Sequence, residues 1–396
     1  MTAESRFDPT ARLAGPPEPW AYASAPSRRD GPPYHMTDMI AAEPAVARRV
    51  IARVARNGAI ELAAAIRVAV EARAPVVVTG CGTSETAGLA MVDIMREALS
   101  ATGVAGAVVF AEQALELSLD PPHRGLVIGV SHEGGTSATN GALRAARAAG
   151  ARTAVVTVSG RSPAGEVADI VVETGELDHS WCHTIGYISP ILAGAAVGAE
   201  LSGRELDADM VGDLLAAGAR DESAAERIAG RIGSAAHLLV IASGADRAAG
   251  REMALKVEEA SWLPSAYRDL ETFLHGHLPA TGPESSLVLI LADRAGRTRR
   301  LARAAQVLAA AQVVGIRAAA ILAADLDDQL APELTPAGRL LVGEDPRLPA
   351  PVAALVGTAT PLQLLTERIA RARGTNPDQI RRDDPTYLRA AEAAGG

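Results

Sequence analysis

The feature that most constrains this chain is an alternation of short apolar, β-rich runs with Ala- and Arg-rich helical stretches, and the pattern occurs twice. In the first half the runs are Ala74–Thr79, Leu126–Val130, Thr153–Val158 and Ile170–Glu173. The second half repeats the order with Leu238–Ala242, Leu287–Leu291, Ala318–Ala323 and Leu340–Val342. Runs this short, apolar on both faces and separated by helix-length segments, predict parallel strands covered on both sides by helices. The expected fold class is therefore α/β: two similar lobes, each a parallel sheet between helical layers in a three-layer αβα arrangement. A polar, glycine-containing break near 201–220 separates them, and 396 residues exceed one comfortable core. The expected division is a disordered arm over 1–35, rich in Pro, Arg and Ser, a first domain over 36–215 and a second with a C-terminal tail over 216–396. Between Met36 and Glu71 the pattern is helical. Glu43-Pro44 opens a run whose apolar positions Val46, Val50, Ile51, Val54, Ile60 and Leu62 can share a face.

Composition narrows the ligand class. A hydrophobic content of 48% with 21% charged residues fits a folded soluble protein. A net charge of −9 without a basic block, and only 3% aromatics, argues against a nucleic-acid surface and leaves small molecules as the expected partners. Two cysteines give no disulfide framework and no secretory signal pattern opens the chain, so a cytoplasmic location is expected. The most apolar stretch, around Ile185–Ala199, contains Pro190 and reads as a buried helix rather than a membrane span.

Of the 38 basic residues, Lys256 is the only lysine. Arginine replaces lysine readily on a solvated surface but not where a compact ammonium must fit, which makes Lys256 a candidate site residue. It stands with Glu252 and Glu259 at spacings i, i+4 and i+7, which places all three on one helical face. An exposed, ion-paired face would show the same spacing. Downstream, His275-Gly276-His277 offers imidazoles able to move a proton near neutral pH.

Ligands of parallel sheets sit beyond the carboxyl ends of the strands. Gly80-Cys81-Gly82-Thr83-Ser84 follows the first strand and opens a helix, so Gly82, Thr83 and Ser84 are candidate binding residues, although a plain strand-to-helix turn has the same composition. Ser131-His132-Glu133-Gly134-Gly135-Thr136 ends the next predicted strand, adding Ser131, His132, Glu133 and Thr136. Glu133 repels an anionic ligand unless it is turned away or neutralised. In Asp178-His179-Ser180-Trp181-Cys182-His183, the side chains of His179, Cys182 and His183 can line a substrate; the alternative is a packed loop capped by Asp178. Recognised zinc spacing is missing, so no metal site is expected.

These motifs together resemble the double-SIS (sugar isomerase) domain family, most of all the isomerase half of glucosamine-6-phosphate synthase. The resemblance spans about residues 36–385. It rests on Met39–Pro44, the Gly-Cys-Gly-Thr-Ser turn, the Ser131 loop, the run from Glu252 through Lys256 and Glu259 to His275-Gly276, and Arg373-Gly-Thr-Asn-Pro-Asp378. It implies a homodimer without metal or organic cofactor that acts on a sugar phosphate or amino sugar by aldose/ketose proton shuttling. It further implies Glu259 as the base, His275 assisting ring opening from a neighbouring subunit, Lys256 and Glu252 supporting the open-chain sugar, and Ser84, Ser131, His132 and Thr136 holding a sugar phosphate. Glu133 stands where the family's phosphate loop usually carries a hydroxyl, so phosphorylation of the sugar stays open. The synthase's glutaminase domain and its tail lysine have no counterpart, which argues against glutamine-dependent amination. An aminosugar-phosphate deaminase or deglycase, and a non-catalytic sugar sensor, are the alternatives.

Overall fold

The computed structural model describes residues 7–21, 26–56, 58–104 and 106–394. Two helices, α1 (His35–Val54) and α2 (Gly58–Glu71), precede the first lobe. That lobe runs β1 (Val76–Gly80), α3 (Thr83–Ala101), β2 (Val109–Gln113), α4 (Ala114–Leu119), β3 (Leu126–Val130), α5 (Ser137–Ala149), β4 (Arg152–Thr157), α6 (Pro163–Val167), β5 (Ile170–Glu173) and α7 (Ile185–Ser202). After α8 (Ala208–Gly218) and α9 (Glu222–Ile232) the second lobe runs β6 (His237–Ala242), α10 (Asp246–Ser261), β7 (Ser265–Asp269), α11 (Leu270–Thr272), β8 (Ser285–Leu291), α12 (Arg297–Val314), β9 (Arg317–Ala323), β10 (Gly338–Val342) and α13 (Ala350–Arg373). A last helix, α14 (Pro385–Ala393), follows the tail.

Both sheets are five-stranded and wholly parallel, ordered β2-β1-β3-β4-β5 and β10-β9-β8-β6-β7. Read from opposite ends the two orders are the same, so the repeat expected from the strand pattern is a repeat of topology. In each lobe the chain leaves its first strand for one edge and then returns to the strand's other side. That switch between β1 and β3 opens a crevice at their carboxyl ends, where the Gly80 and Ser131 loops emerge. The strands missed in the sequence, β2 and β7, are edge strands. Val109-Phe-Ala-Glu-Gln and Ser265-Ala-Tyr-Arg-Asp are mostly half-buried, so neither needs a continuous apolar run.

Four helices, α3, α7, α10 and α13, fill the space between the sheets, and their side chains belong to one continuous core that draws on both lobes. Helices buried on all sides lose the usual amphipathic stripe: α13 is buried from Pro351 to Ala370 and α7 along most of its length. Although α7 is long and apolar enough to cross a membrane, its window is 83% buried inside the protein. Gly194 lets it approach α3, since a Cβ there would stand 2.8 Å from the Met91 side chain.

Three expectations are corrected. Residues 8–20 do not behave as a loose arm: Leu13 is buried, its amide donates to Glu176 Oε2 at 2.9 Å, and Arg49 donates to the Thr10 carbonyl at 2.8 Å. Residues 1–6 and 22–25 of that expected arm lie outside the described residues. Pro44 sits inside α1 rather than at its start, and Ile60 is 51% exposed and off the buried face. The boundary placed between 215 and 216 falls inside α8, which packs on α1 and α13 and fills the break.

Glu43 of α1 is fully buried and accepts a hydrogen bond from Thr360 Oγ1 at 2.7 Å. Burial pushes its pKa up to about 8 against the opposing hydrogen bonds of Thr360 and Gln363. Between pH 4.5, the ordinary value, and pH 8 an unfolded chain has released this proton while the folded chain keeps it, so stability falls with rising pH across that window. Glu43→Gln is therefore expected to be more stable than wild type at pH 8, by on the order of 2–4 kcal/mol, and indistinguishable from it below the window, as urea unfolding at several pH values would measure.

Candidate active site between the strand-end loops and the lysine helix

The site is organised by α10. Its registry puts Glu252, Lys256 and Glu259 on one face, with Glu252 and Lys256 completely buried and the Glu259 side chain 24% exposed. Lys256 Nζ donates to Glu259 Oε2 at 2.5 Å and lies 3.7 Å from Glu252 Oε1. Burial alone would lower the ammonium pKa, but Glu259 and Glu252 override it and hold Lys256 charged, above its ordinary range. Burial pushes Glu252 up, opposed by Lys256 and by the Thr86 hydroxyl, which donates to Glu252 Oε2. That last bond ties α10 of the second lobe to α3 of the first. The Glu252–Lys256–Glu259 row is thus an interior device and not a solvated ion-paired face.

Gly82 caps α3 with φ +56°, ψ −126°, a conformation open to glycine and costly for other residues, and this brings the turn against Leu255 of α10, 3.9 Å from a Cβ built at Gly82. Thr83 is buried next to Glu252 and Ser84 is half-buried. The second loop lies beside the first: Cys81 Sγ is 3.9 Å from Thr139 Oγ1 on α5. Ser131 is buried and its hydroxyl donates to Thr136 Oγ1 at 3.3 Å, while Thr136 is exposed at the start of α5. Burial, reinforced by the Asp178 carboxylate, pushes Glu133 up to about 7. Trp20, from the docked N-terminal segment, leans on this loop, with its Cβ 3.0 Å from the position of a Cβ at Gly135.

His132 is buried and its Nε2 accepts the Asp178 amide at 2.9 Å, which assigns that nitrogen as unprotonated. The His183 ring lies 5.3 Å away. Burial holds both imidazoles near pKa 3, aided at His132 by His183 and at His183 by Lys256, so both are neutral at physiological pH. Asp178 Oδ2 accepts the amides of Thr184 at 2.7 Å and Gly186 at 3.0 Å, and Oδ1 accepts that of Ser180 at 3.0 Å. The capping alternative for this loop is what the structure contains: Asp178 satisfies the start of α7. Asp178→Ala is expected to cost about 2–3 kcal/mol in urea unfolding, because three buried amides lose a charged acceptor.

Two of the candidate lining residues lie elsewhere. Cys182 is fully buried among Met36, Ile40, Ala260 and Ala370, its Sγ 3.9 Å from the Lys256 carbonyl, and burial pushes its thiol well up; it is a packing residue beneath α10. His179 turns away, its Nε2 2.8 Å from the Ala14 carbonyl of the N-terminal segment. His275 is not brought to Glu259 within the chain. It stands on a kinked turn after α11, 74% exposed at its side chain and 3.2 Å from Glu271 Oε2. Among the described residues, no three His, Cys, Asp or Glu side chains converge as metal ligands.

Glu259 opens into a crevice of about 450 Å³ walled by Leu255, Trp262, Ile380, Arg381 and Tyr387. A volume of this size accommodates a small metabolite. Thr86, Trp262 and Arg381 escaped the sequence reading. Thr86 lies one turn into α3, where only knowledge of the lobe packing reveals its partner, and Arg381 reaches the crevice because the tail folds back. That return is pinned by Asp378, whose carboxylate accepts the amides of His35 at 2.8 Å and Met36 at 2.9 Å.

Residues 232–359 match the SIS domain family. A comparison with curated protein sequences finds no match. Among solved structures, the C-terminal domain of glucosamine-fructose-6-phosphate aminotransferase from Francisella tularensis superposes with a TM-score of 0.74 at 18% identity, over 89% of this chain and 100% of that one. Tagatose-6-phosphate ketose/aldose isomerase from Escherichia coli gives 0.69 at 17% identity over 91% and 98%. Glucosamine-6-phosphate deaminase from Thermotoga maritima gives 0.57 at 16% over 83% and 96%. These findings place a SIS domain in the second lobe and show that the two-lobed fold as a whole is the one those solved structures share.

Proposed function

We propose that this protein is an aldose/ketose-type isomerase of a sugar phosphate or amino sugar, with Glu259 as the base. The observation that carries the reading is the Lys256–Glu259 pair at the mouth of the crevice, a carboxylate held in one orientation by a buried ammonium yet still open to a ligand. In the reaction the C2–H bond breaks, its proton passes to Glu259, and the electron pair forms the C1–C2 double bond of an enediolate. Return of that proton to C1, with the hydroxyl proton moving from O2 to O1, yields the ketose. One carboxylate within reach of two adjacent carbons suffices, and such placement contributes about 10²- to 10⁴-fold. Lys256 orients the base and offsets the charge building on the enediolate oxygen. Thr83, Ser84, Ser131 and Thr136 do not line the Glu259 crevice, and in this reading their hydroxyls meet the part of the sugar that extends towards the strand ends. His275 enters this reading only through a homodimer, its exposed turn being available to a second copy.

The test is solvent exchange: in heavy water, fructose 6-phosphate, glucose 6-phosphate, their amino forms and the free sugars are incubated with the protein and deuterium at C1 and C2 is followed by NMR. Incorporation in one aldose/ketose pair supports the reading. Ligand binding without any exchange would leave a sensor in its place. A second reading, an amine-expelling deaminase or deglycase, is favoured by Glu133, a half-buried carboxyl in the Ser131 loop suited to an amino group; it predicts ammonia or free amine in a coupled assay of the amino sugars.

A further inference from the structure

We propose that Arg381 is the anion-recognition residue of the Glu259 crevice, taking the terminal phosphate or carboxylate of the sugar; this rests on the crevice being the sugar site. Arg381 comes from the tail beyond α13, which is fastened to the end of α10 by Thr375 Oγ1 donating to the Ala260 carbonyl at 2.8 Å and by Arg373 Nε donating to the Ser261 carbonyl at 2.8 Å. The Arg381 guanidinium packs over two rings, its Cζ 4.5 Å from the Trp262 centroid and 3.8 Å from that of Tyr387. Contact with two rings restrains the guanidinium, whose terminal Nη groups can still donate to a phosphate or carboxylate. Its buried Nε has no hydrogen-bond partner among the described residues.

The backbone is strained to hold this arrangement. Trp262, Ile380 and Arg381 have φ of +55°, +42° and +65°, a region unfavourable for side chains of this size and most of all for a β-branched one. All three line the crevice. Strained residues gathered on one wall point to a site whose geometry is held by its surroundings.

Among the described residues no other cation lines the crevice. Lys256 is buried and already engaged by Glu252 and Glu259. The Ser131 loop presents Glu133 and a neutral His132, and the neighbouring loop before α7 presents Asp178 and a neutral His183. Among the described residues, Arg381 is the one basic residue on the crevice wall. Trp262, on which it stacks, is three residues beyond Glu259, so the two are neighbours across about one helical turn. A short open-chain sugar with its reacting carbons at Glu259 would lay its far end against Arg381.

The experiment is titration calorimetry of the full chain with fructose 6-phosphate, glucuronate, fructose and inorganic phosphate, on wild type, Arg381→Gln and Arg381→Lys. Arg381→Gln is expected to weaken the anionic sugar by tenfold or more while leaving fructose unchanged, and preference for fructose 6-phosphate or glucuronate in the wild type identifies the anion. Arg381→Lys, which keeps charge but not the fork, is expected to lose less; should Arg381→Gln fail to fold by circular dichroism, the same anion-confined loss is read from Arg381→Lys. Anionic-sugar affinity unaltered by the substitutions, a loss shared equally by fructose, or a wild type that binds neither anionic sugars nor inorganic phosphate would overturn the proposal. If inorganic phosphate binds through Arg381 while no sugar binds or exchanges, the anion site stands and the isomerase reading falls.

Discussion

Glu259→Gln is expected to lower deuterium incorporation at C2 by about 10²- to 10⁴-fold while leaving the binding constant for the same sugar little changed. Gln keeps the shape of the side chain and an oxygen that accepts from Lys256 Nζ, so the change removes the basic carboxylate and little else. A proton shuttle depends on that carboxylate in the transition state alone, which is why kcat should fall and binding should not. Exchange retained at more than a tenth of the wild-type rate would take the base away from Glu259. If both binding and exchange vanish with the fold intact, Glu259 holds substrate rather than moving its proton.

Lys256→Met is expected to destabilise the folded protein by about 3–5 kcal/mol, measured as a fall in the urea midpoint at unchanged m-value. The methionine fills the volume of the lysine stem, so packing is nearly conserved. What remains is Glu252, fully buried, with its negative charge facing the neutral hydroxyls of Thr86 and Thr83. Removing one partner of a buried pair costs far more than replacing both, and the double substitution Glu252→Gln with Lys256→Met should therefore recover most of the loss. The sign with pH follows from the raised Lys256 pKa. The ammonium's contribution is fully present below its ordinary pKa of 10.5 and is lost only as pH rises through the higher folded value. The defect should thus be largest from neutral pH upward to about pH 9 and shrink in acid, where Glu252 takes up a proton. A single variant within 1 kcal/mol of wild type, a threshold set by the ordinary size of surface effects, would mean that the ammonium does not hold the row together. Lys256→Arg tests the same point sterically, because a fully enclosed position shaped for an ammonium has no room for a planar fork.

How far the sequence speaks depends on whether a residue's environment is made locally. The central strands were legible because burial on both faces demands an unbroken apolar run, as in Leu126–Val130, whose ends coincide with β3; the edge strand β5 was legible too, since Ile170–Val172 is apolar although only every second residue is buried. Edge strands β2 and β7 face solvent on part of their surface and carry no such mark. The Glu252–Lys256–Glu259 row was visible because helical spacing and the solitary lysine are both sequence properties. Cys182 and His179 went astray for the opposite reason: within one loop, which side chain turns inward is decided by α10 and by the N-terminal segment, neither of which is near in the chain. Arg381 was silent for the same cause, as nothing in its neighbours announces that Trp262 and Tyr387 will close on it.

The four-helix layer shared by the two lobes carries a consequence for how the molecule comes apart. A helix such as α13, covered on every side, takes part of its covering from α1, α3 and α7 on the other side of the divide. Cutting the chain between β5 and β6 would therefore strip both fragments of apolar partners at once, and each would meet water with a face meant for the other. Heating or denaturant should find a single cooperative melt with no half-folded stage, and a fragment limited to the SIS-matching stretch should aggregate or stay unfolded when made alone.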